Sequence, residues 1–329
     1  MPHVIYNPFD PLTFSKQICF LSGHKLTTTH PPIHVFPSWL LEHYVLQDKP
    51  FKLLDDSITT YSELKIPCAA SVNQKITDLE KEIACAFISG YEAVKRLPSI
   101  RIFQWVGKLI YGILFNEISI GIRQQTTVGQ PFTLSQSLIH KFRNLHSMLQ
   151  SIIQPIQFED NLPWSIQVVP IQSTTDTFSY RDEINTLTFS LKMRDFGIIA
   201  CLQDNGTNKV YHQNLLTKMV GQALDPIQFE ELCGRFFYSN YLFNRLPDYM
   251  ILPTDDAIYI EAMSLKGTSN KPLFDSWQNK IYGQVLESFW KPWHIPLSDI
   301  LKNPEMPLSF LLEDTGEIKA FQNIKYPPS

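Results

Sequence analysis

Charge is scarce in this chain. Asp, Glu, Lys and Arg make up 18% of its 329 residues, which excludes a long solvated tail or a charge-driven disordered segment. Cysteine is scattered: Cys19, Cys68, Cys85, Cys201 and Cys233 are odd in number and never form a CxxC pair. That spacing gives no disulfide framework and suits a reducing compartment. The start, Met1-Pro2-His3-Val4-Ile5, has no basic region leading into an apolar run and does not read as a signal peptide. No apolar run approaches the ~18 residues of a membrane span. The longest, around Trp105 to Leu114, is interrupted by Lys108. A cytoplasmic protein without membrane partners is expected. Gly-x-Ser-x-Gly, P-loop, Gly-x-Gly-x-x-Gly, HExxH and EF-hand spacings are all missing, so the common hydrolase, nucleotide and calcium readings find no footing.

What is present is apolar and aromatic side chain, 44% and 12% of the residues, enough for one large core or two ordinary ones. Net charge is −4, but it is uneven. Residues 1–156 hold 14 Lys and Arg against 11 Asp and Glu, while residues 157–329 hold 14 against 21. A nucleic-acid contact is therefore expected on the N-terminal half.

Pro31-Pro32 excludes a helix there, and Ile33–Phe36 reads as a short strand ended by Pro37. Ser38 is a candidate cap for a helix over Trp39 to Tyr44. Thr77-Asp78-Leu79-Glu80 fits a capping box, with Leu79, Ile83, Ala86, Phe87, Gly90 and Val94 following at helical spacing until Pro98. A buried helix is expected from Arg101 to about Asn116 and another from about Leu134 to Ile153. A boundary falls near Gln154-Pro155, dividing 1–154 from 155–329. Beyond it strands are expected at Ser165–Val169, Leu187–Leu191, Phe196–Leu202 and Ala257–Glu261. Asp204-Asn205-Gly206 signals a turn, with a strand resuming near Lys209-Val210-Tyr211. Trp277, Phe289, Trp290 and Trp293, set between prolines, read as packing. The class is α+β.

Two front segments carry chemistry. Cys19-Phe20-Leu21-Ser22-Gly23 precedes Ile33-His34-Val35-Phe36-Pro37-Ser38-Trp39-Leu40; Tyr61 and Leu64 follow, then Pro67-Cys68-Ala69-Ala70-Ser71-Val72-Asn73 and Leu79-Glu80. In order and spacing this resembles the HNH, or ββα-metal, endonucleases over roughly residues 17–85. Members of one bacterial branch read Cys-x-x-Cys-Gly, Glu-His-Val-Phe-Pro-x-Trp and Pro-Cys-Cys-x-x-Cys-Asn. The resemblance implies a small ββα unit in which a strand-borne His activates water and an acid and a helix residue hold one divalent cation. His34 matches the base and Asn73 the helix residue on the metal side.

The departures define the expectation. Ile33 stands in place of the acid, Ser22 in place of the second cysteine, and Ala69 and Val72 in place of the second pair. One thiolate cannot build a tetrahedral zinc, and His24 and His30 lack a partner at the needed spacing. Apart from the resemblance, His34 reads as a half-buried strand histidine, Asn73 as a turn or capping residue before the helix, and Cys19 and Cys68 as small buried hydrophobes. The carboxylates of Tyr180–Glu183, Asp204–Gly206 and Thr254–Asp256 read as turn residues. Three functions follow: a degenerate HNH-like nucleic-acid or protein-binding module without zinc or other cofactor; an active nuclease with His34 as base, a divalent cation such as Mg²⁺ and a replacement acid; or an enzyme whose site lies in the C-terminal region.

Overall fold

The computed structural model describes residues 3–27, 31–127, 133–159, 161–173, 175–267, 269–320 and 324. In chain order the strands and helices run β1 (Ile33–His34), α1 (Ser38–His43), β2 (Pro50–Lys52), β3 (Ile58–Thr60), β4 (Lys65–Ile66), α2 (Ala70–Ser89), α3 (Tyr91–Val94), α4 (Ser99–Thr127) and α5 (Gln136–Leu149). There follow β5 (Ile156–Glu159), β6 (Ser165–Pro170), β7 (Ser179–Glu183), β8 (Thr188–Met193), β9 (Phe196–Cys201), α6 (Thr207–Tyr211), α7 (Gln213–Lys218) and α8 (Pro226–Leu242). The last are β10 (Tyr249–Pro253), β11 (Ile258–Ala262), α9 (Asn279–Phe289) and α10 (Leu297–Ile300). With 40% helix, 19% strand and several separate sheets, the fold is α+β.

Two compact units divide these elements. The first holds Met1–Ser89, Leu97–Pro163 and Leu246–Met263; the second holds Gly90–Arg96, Trp164–Arg245 and Ser264–Ser329. The boundary drawn at Gln154 thus lies inside the first unit. Its β5 pairs in parallel with β11, and that pairing keeps residues 156–159 with the first unit and brings 249–262 back into it.

In the first unit α4 is the central element. Trp105, Val106, Leu109, Ile110 and Tyr111 are all fully buried, as expected of a helix apolar nearly all round. The helix extends well past the expected Asn116. Its stretch Ser99–Gln125 is long and apolar enough to cross a membrane, though 67% of its most apolar window is buried inside the protein. On α2, Val72, Ile76, Leu79, Ile83 and Phe87 form the buried stripe. The helix begins at Ala70, seven residues before Thr77, because Val72 and Ile76 extend the same stripe backward. Asn73 is therefore not a turn or cap ahead of the helix; it lies in the first turn, its N–H donating to Ala69 O at 2.8 Å. The cap of α1 also differs: Pro37, not Ser38, holds that position, and no side chain caps the helix.

The second unit is built on an antiparallel sheet of order β6-β9-β8-β7, with β8 and β9 buried along their whole length. Helix α8 covers them, and Phe229 packs where a Cβ on Gly197 would otherwise sit. Asp225 starts α8 with a capping box to Gln228, and Pro226 holds the first turn. Trp290 is fully buried against Phe310, with ring centroids 5.0 Å apart. The strand expected over Lys209–Tyr211 is instead helix α6. Asp204 accepts from Asn208 N at 2.7 Å and Gly206 N at 3.2 Å, and so satisfies amides at the start of a helix rather than closing a hairpin.

Candidate functional site

Strands β1 and β4 pair antiparallel in the register Ile33↔Ile66 and His34↔Lys65, and Pro67–Ala69 leads from β4 directly into α2. Two short strands and a helix thus frame one cleft of about 500 Å³, lined by His34, Trp39, Asn73, Thr77, Glu80 and Lys81 among others. Asn73, Thr77 and Glu80 are spaced i, i+4, i+7, so one face of α2 presents all three. His34 and Asn73, the two residues singled out from the sequence, are brought together here.

The acid of the cleft is Glu80, on the same helix. Ile33 also lines the cleft and supplies no oxygen. Glu80 Oε1 lies 2.9 Å from Lys108 Nζ, an ion pair whose lysine side chain is 1% exposed. The same ammonium donates to His34 O at 2.7 Å and Val35 O at 2.6 Å. Its three donors thus meet one carboxylate and two strand carbonyls, the oxygen-rich surroundings a bound cation would have. Close approach of α4 to β1 makes this possible. A Cβ on Gly112 would stand 2.7 Å from both Val35 methyls.

Burial holds His34 below its ordinary pKa, and the positive charges of Lys65 and Lys108 push the same way while Glu80 opposes them. The imidazole is thus neutral at pH 7, the form able to accept a proton. One neutral imidazole, one amide and one lysine-paired carboxylate remain. Among the described residues no group of three or more His, Cys, Asp or Glu is placed to hold a metal ion.

The cysteine positions lie nearby. Cys19 N donates to His24 O at 2.8 Å and Gly23 N to Cys19 O at 3.0 Å, closing a tight turn in which Gly23 takes φ +71°. Phe20 N donates to Pro67 O at 2.9 Å, setting this turn against the segment that carries Cys68. The polar surroundings of Cys19, Cys68 first, with Ser22 and the backbone of Ala69 and Leu21, lower its pKa to about 5 against the opposing effect of burial. The Cys68 thiol itself donates to Ala69 O at 3.5 Å. Cys68, beside Cys19 and buried, is pushed far upward. His24 is engaged with Ser22 Oγ at 3.0 Å; His30 lies outside the described residues.

In the second unit the most enzyme-like group is a buried network. Ser239 Oγ donates to Asn208 Oδ1 at 2.6 Å and lies 2.9 Å from His212 Nε2. With its proton committed to Asn208, the hydroxyl accepts from His212, the reverse of what a nucleophile–base pair needs. Ser239 is also fully buried. Asp204, bonded to Ser165 Oγ at 2.6 Å, is raised to about 6 by burial. These groups bind the sheet to its helices. Sequence reasoning missed Lys108, whose only signal was a charge interrupting the apolar stretch from Trp105 to Leu114. Compared with known proteins, the chain matches no family model, no curated protein and no solved structure.

Proposed function

We propose that this chain is a degenerate HNH-like protein: a nucleic-acid-binding module, with little or no phosphodiester cleavage, in which a lysine ammonium takes the place of the catalytic cation. The observation that carries the reading is the Lys108–Glu80 pair beneath the cleft shared by His34 and Asn73. A hard divalent cation needs anionic oxygen, and the carboxylate of this cleft is already neutralised by a charge of the protein's own. Support for a nucleic-acid partner comes from Lys81 in the cleft wall and exposed Lys65 opposite His34 on the paired strand; both can meet phosphate. The direct test is fluorescence anisotropy with labelled single- and double-stranded oligonucleotides in excess chelator. Saturable, salt-sensitive binding that weakens in Lys65→Ala and Lys81→Ala is expected; no binding at low salt would end the reading, and a protein partner would take its place.

A second reading has its own observation in favour. Glu80 stands in the same cleft as a neutral His34 and could serve as the replacement acid of an active, Mg²⁺-dependent nuclease once Lys108 moves away. Cleavage of plasmid DNA by the wild-type chain, abolished by both His34→Ala and Glu80→Gln, would favour it.

A further inference from the structure

We infer that the cleft framed by β1, α1 and α2 takes one unstacked base of a single-stranded nucleic acid, adenine or cytosine in preference to thymine. This rests on the nucleic-acid reading above and deepens it: a base enters the cleft, and the phosphates stay outside. His34, Asn73, Thr77 and Glu80 all line this space of about 500 Å³, a volume within the ~300–1,000 Å³ of small-ligand pockets. Among the described residues the His34 ring, the Asn73 amide and the Thr77 hydroxyl make no hydrogen bond within the protein. Glu80 commits Oε1 to Lys108 and keeps Oε2 free. The Trp39 indole N–H, buried in the wall of the same cleft, has no partner either.

The mixture of these groups selects the ligand. Asn73 donates through Nδ2 and accepts through Oδ1, the Thr77 hydroxyl and a neutral His34 each do both, and Glu80 Oε2 only accepts. A phosphate carries acceptors and negative charge alone. Inside this cleft it would face the free carboxylate oxygen of Glu80 and the Asn73 oxygen with nothing to donate. The edge of adenine or cytosine sets an exocyclic amine beside a ring-nitrogen acceptor. The amine satisfies Glu80 Oε2 or Asn73 Oδ1, and the ring nitrogen receives Asn73 Nδ2 or the Thr77 hydroxyl. Thymine has no such amine.

Strandedness follows from the same edge. In a duplex the amine is already engaged by the opposite base and both ring faces are stacked, so the base must first be pulled out at a cost in pairing and stacking. A single strand offers edge and faces at once. Pro32 and the Trp39 indole give the cleft an apolar wall for a ring face. The charges lie where the backbone of such a strand would run. Lys81 stands exposed at the cleft wall, and exposed Lys65 pairs with His34 across the two strands.

The test uses the full chain, with fluorescence anisotropy in excess chelator on labelled oligo-dA, oligo-dC and oligo-dT of equal length and on a mixed-sequence duplex. Oligo-dA or oligo-dC should bind about tenfold more tightly than oligo-dT and than the duplex. Asn73→Ala, a change at an exposed helix position, should bring the favoured oligonucleotide down to the level of oligo-dT and leave oligo-dT itself unmoved. Lys65→Ala should weaken every oligonucleotide alike. If Asn73→Ala loses the native circular dichroism spectrum, Thr77→Val is read in the same way. Equal binding of all four probes, or a base preference that survives in the cleft variant, overturns the inference and leaves the nucleic-acid reading standing. Failure of every probe to bind at low salt overturns both.

Discussion

Lys108 and Glu80 lie 28 positions apart on different helices, yet their charged atoms meet at 2.9 Å beneath the cleft that holds His34 and Asn73. The ammonium also donates to the carbonyls of His34 and Val35, so one buried side chain fixes strand, helix and central helix together. A residue in this position answers both a structural and an electrostatic need. It satisfies strand oxygens and cancels the carboxylate that a metal would require.

Removing that ammonium should be costly. Lys108→Met leaves Glu80 without its partner and two carbonyls without a donor, and a loss of about 3 kcal/mol is expected. Urea denaturation of Lys108→Met, Glu80→Gln and the double variant measures it. The double variant should lose less than the two single losses combined; simple additivity would mean the pair is not coupled.

Cleavage should be negligible in the wild-type chain with either Mg²⁺ or Mn²⁺, because Ile33 offers no oxygen and Glu80 is neutralised. Ile33→Glu restores an acid beside His34 and should raise Mn²⁺ affinity, read by isothermal titration or by the relaxation rate of water protons. Unchanged affinity would show that Lys108 dominates the site even against a second carboxylate.

His146 is fully buried, and burial lowers its pKa to about 4 despite the hydrogen bond to Phe20 O at 2.7 Å. A depressed histidine contributes stability that is complete above its unfolded pKa of about 6.5 and lost as pH falls through 4. The contribution is about 3 kcal/mol at pH 7. His146→Gln should flatten the acid side of the stability curve between pH 6.5 and 4, as followed by urea midpoints.

Asp204 carries the opposite sign. Its folded pKa, raised to about 6 by burial, means that its stability contribution is complete below the unfolded value near 3.9 and lost as pH rises through 6. Relative to the wild type, Asp204→Asn should fare better at pH 7 than at pH 4, by about 3 kcal/mol between the two. No change in that difference would place the titration elsewhere in the network.

Gly112→Ala probes the fit that brings α4 to β1. The added methyl would lie 2.7 Å from the Val35 side chain, and overpacking of this kind costs about 1–3 kcal/mol. Because Val35 O is a Lys108 partner, the variant should also shift the resonances of His34 in NMR spectra.

Much of the secondary structure was legible locally. The strands near 165, 188, 196 and 258 and the long helices of the front half follow from alternation and from apolar stripes, which depend only on neighbours in the chain. Even the early start of α2 was written in Val72 and Ile76, and Asp225-Pro226-Ile227-Gln228 carried a readable start for α8. The helix over Lys209–Tyr211 was not legible, because Asp204 could equally have closed a hairpin; its buried bonds to Ser165 and Asn208 decided the matter.

The cleft divides along the same line. Composition, motif order and the substitutions at Ile33, Ser22, Ala69 and Val72 are properties of the sequence by itself. They determined that His34 and Asn73 were the residues to examine and that neither the acid nor the zinc set was present in its expected place. Only the tertiary structure decided which side chains stand beside them. The Lys108–Glu80 pair joins side chains 28 positions apart, and no local periodicity encodes such a distance. It depends on how close α4 and β1 can approach at Gly112 and Val35, and packing settles that.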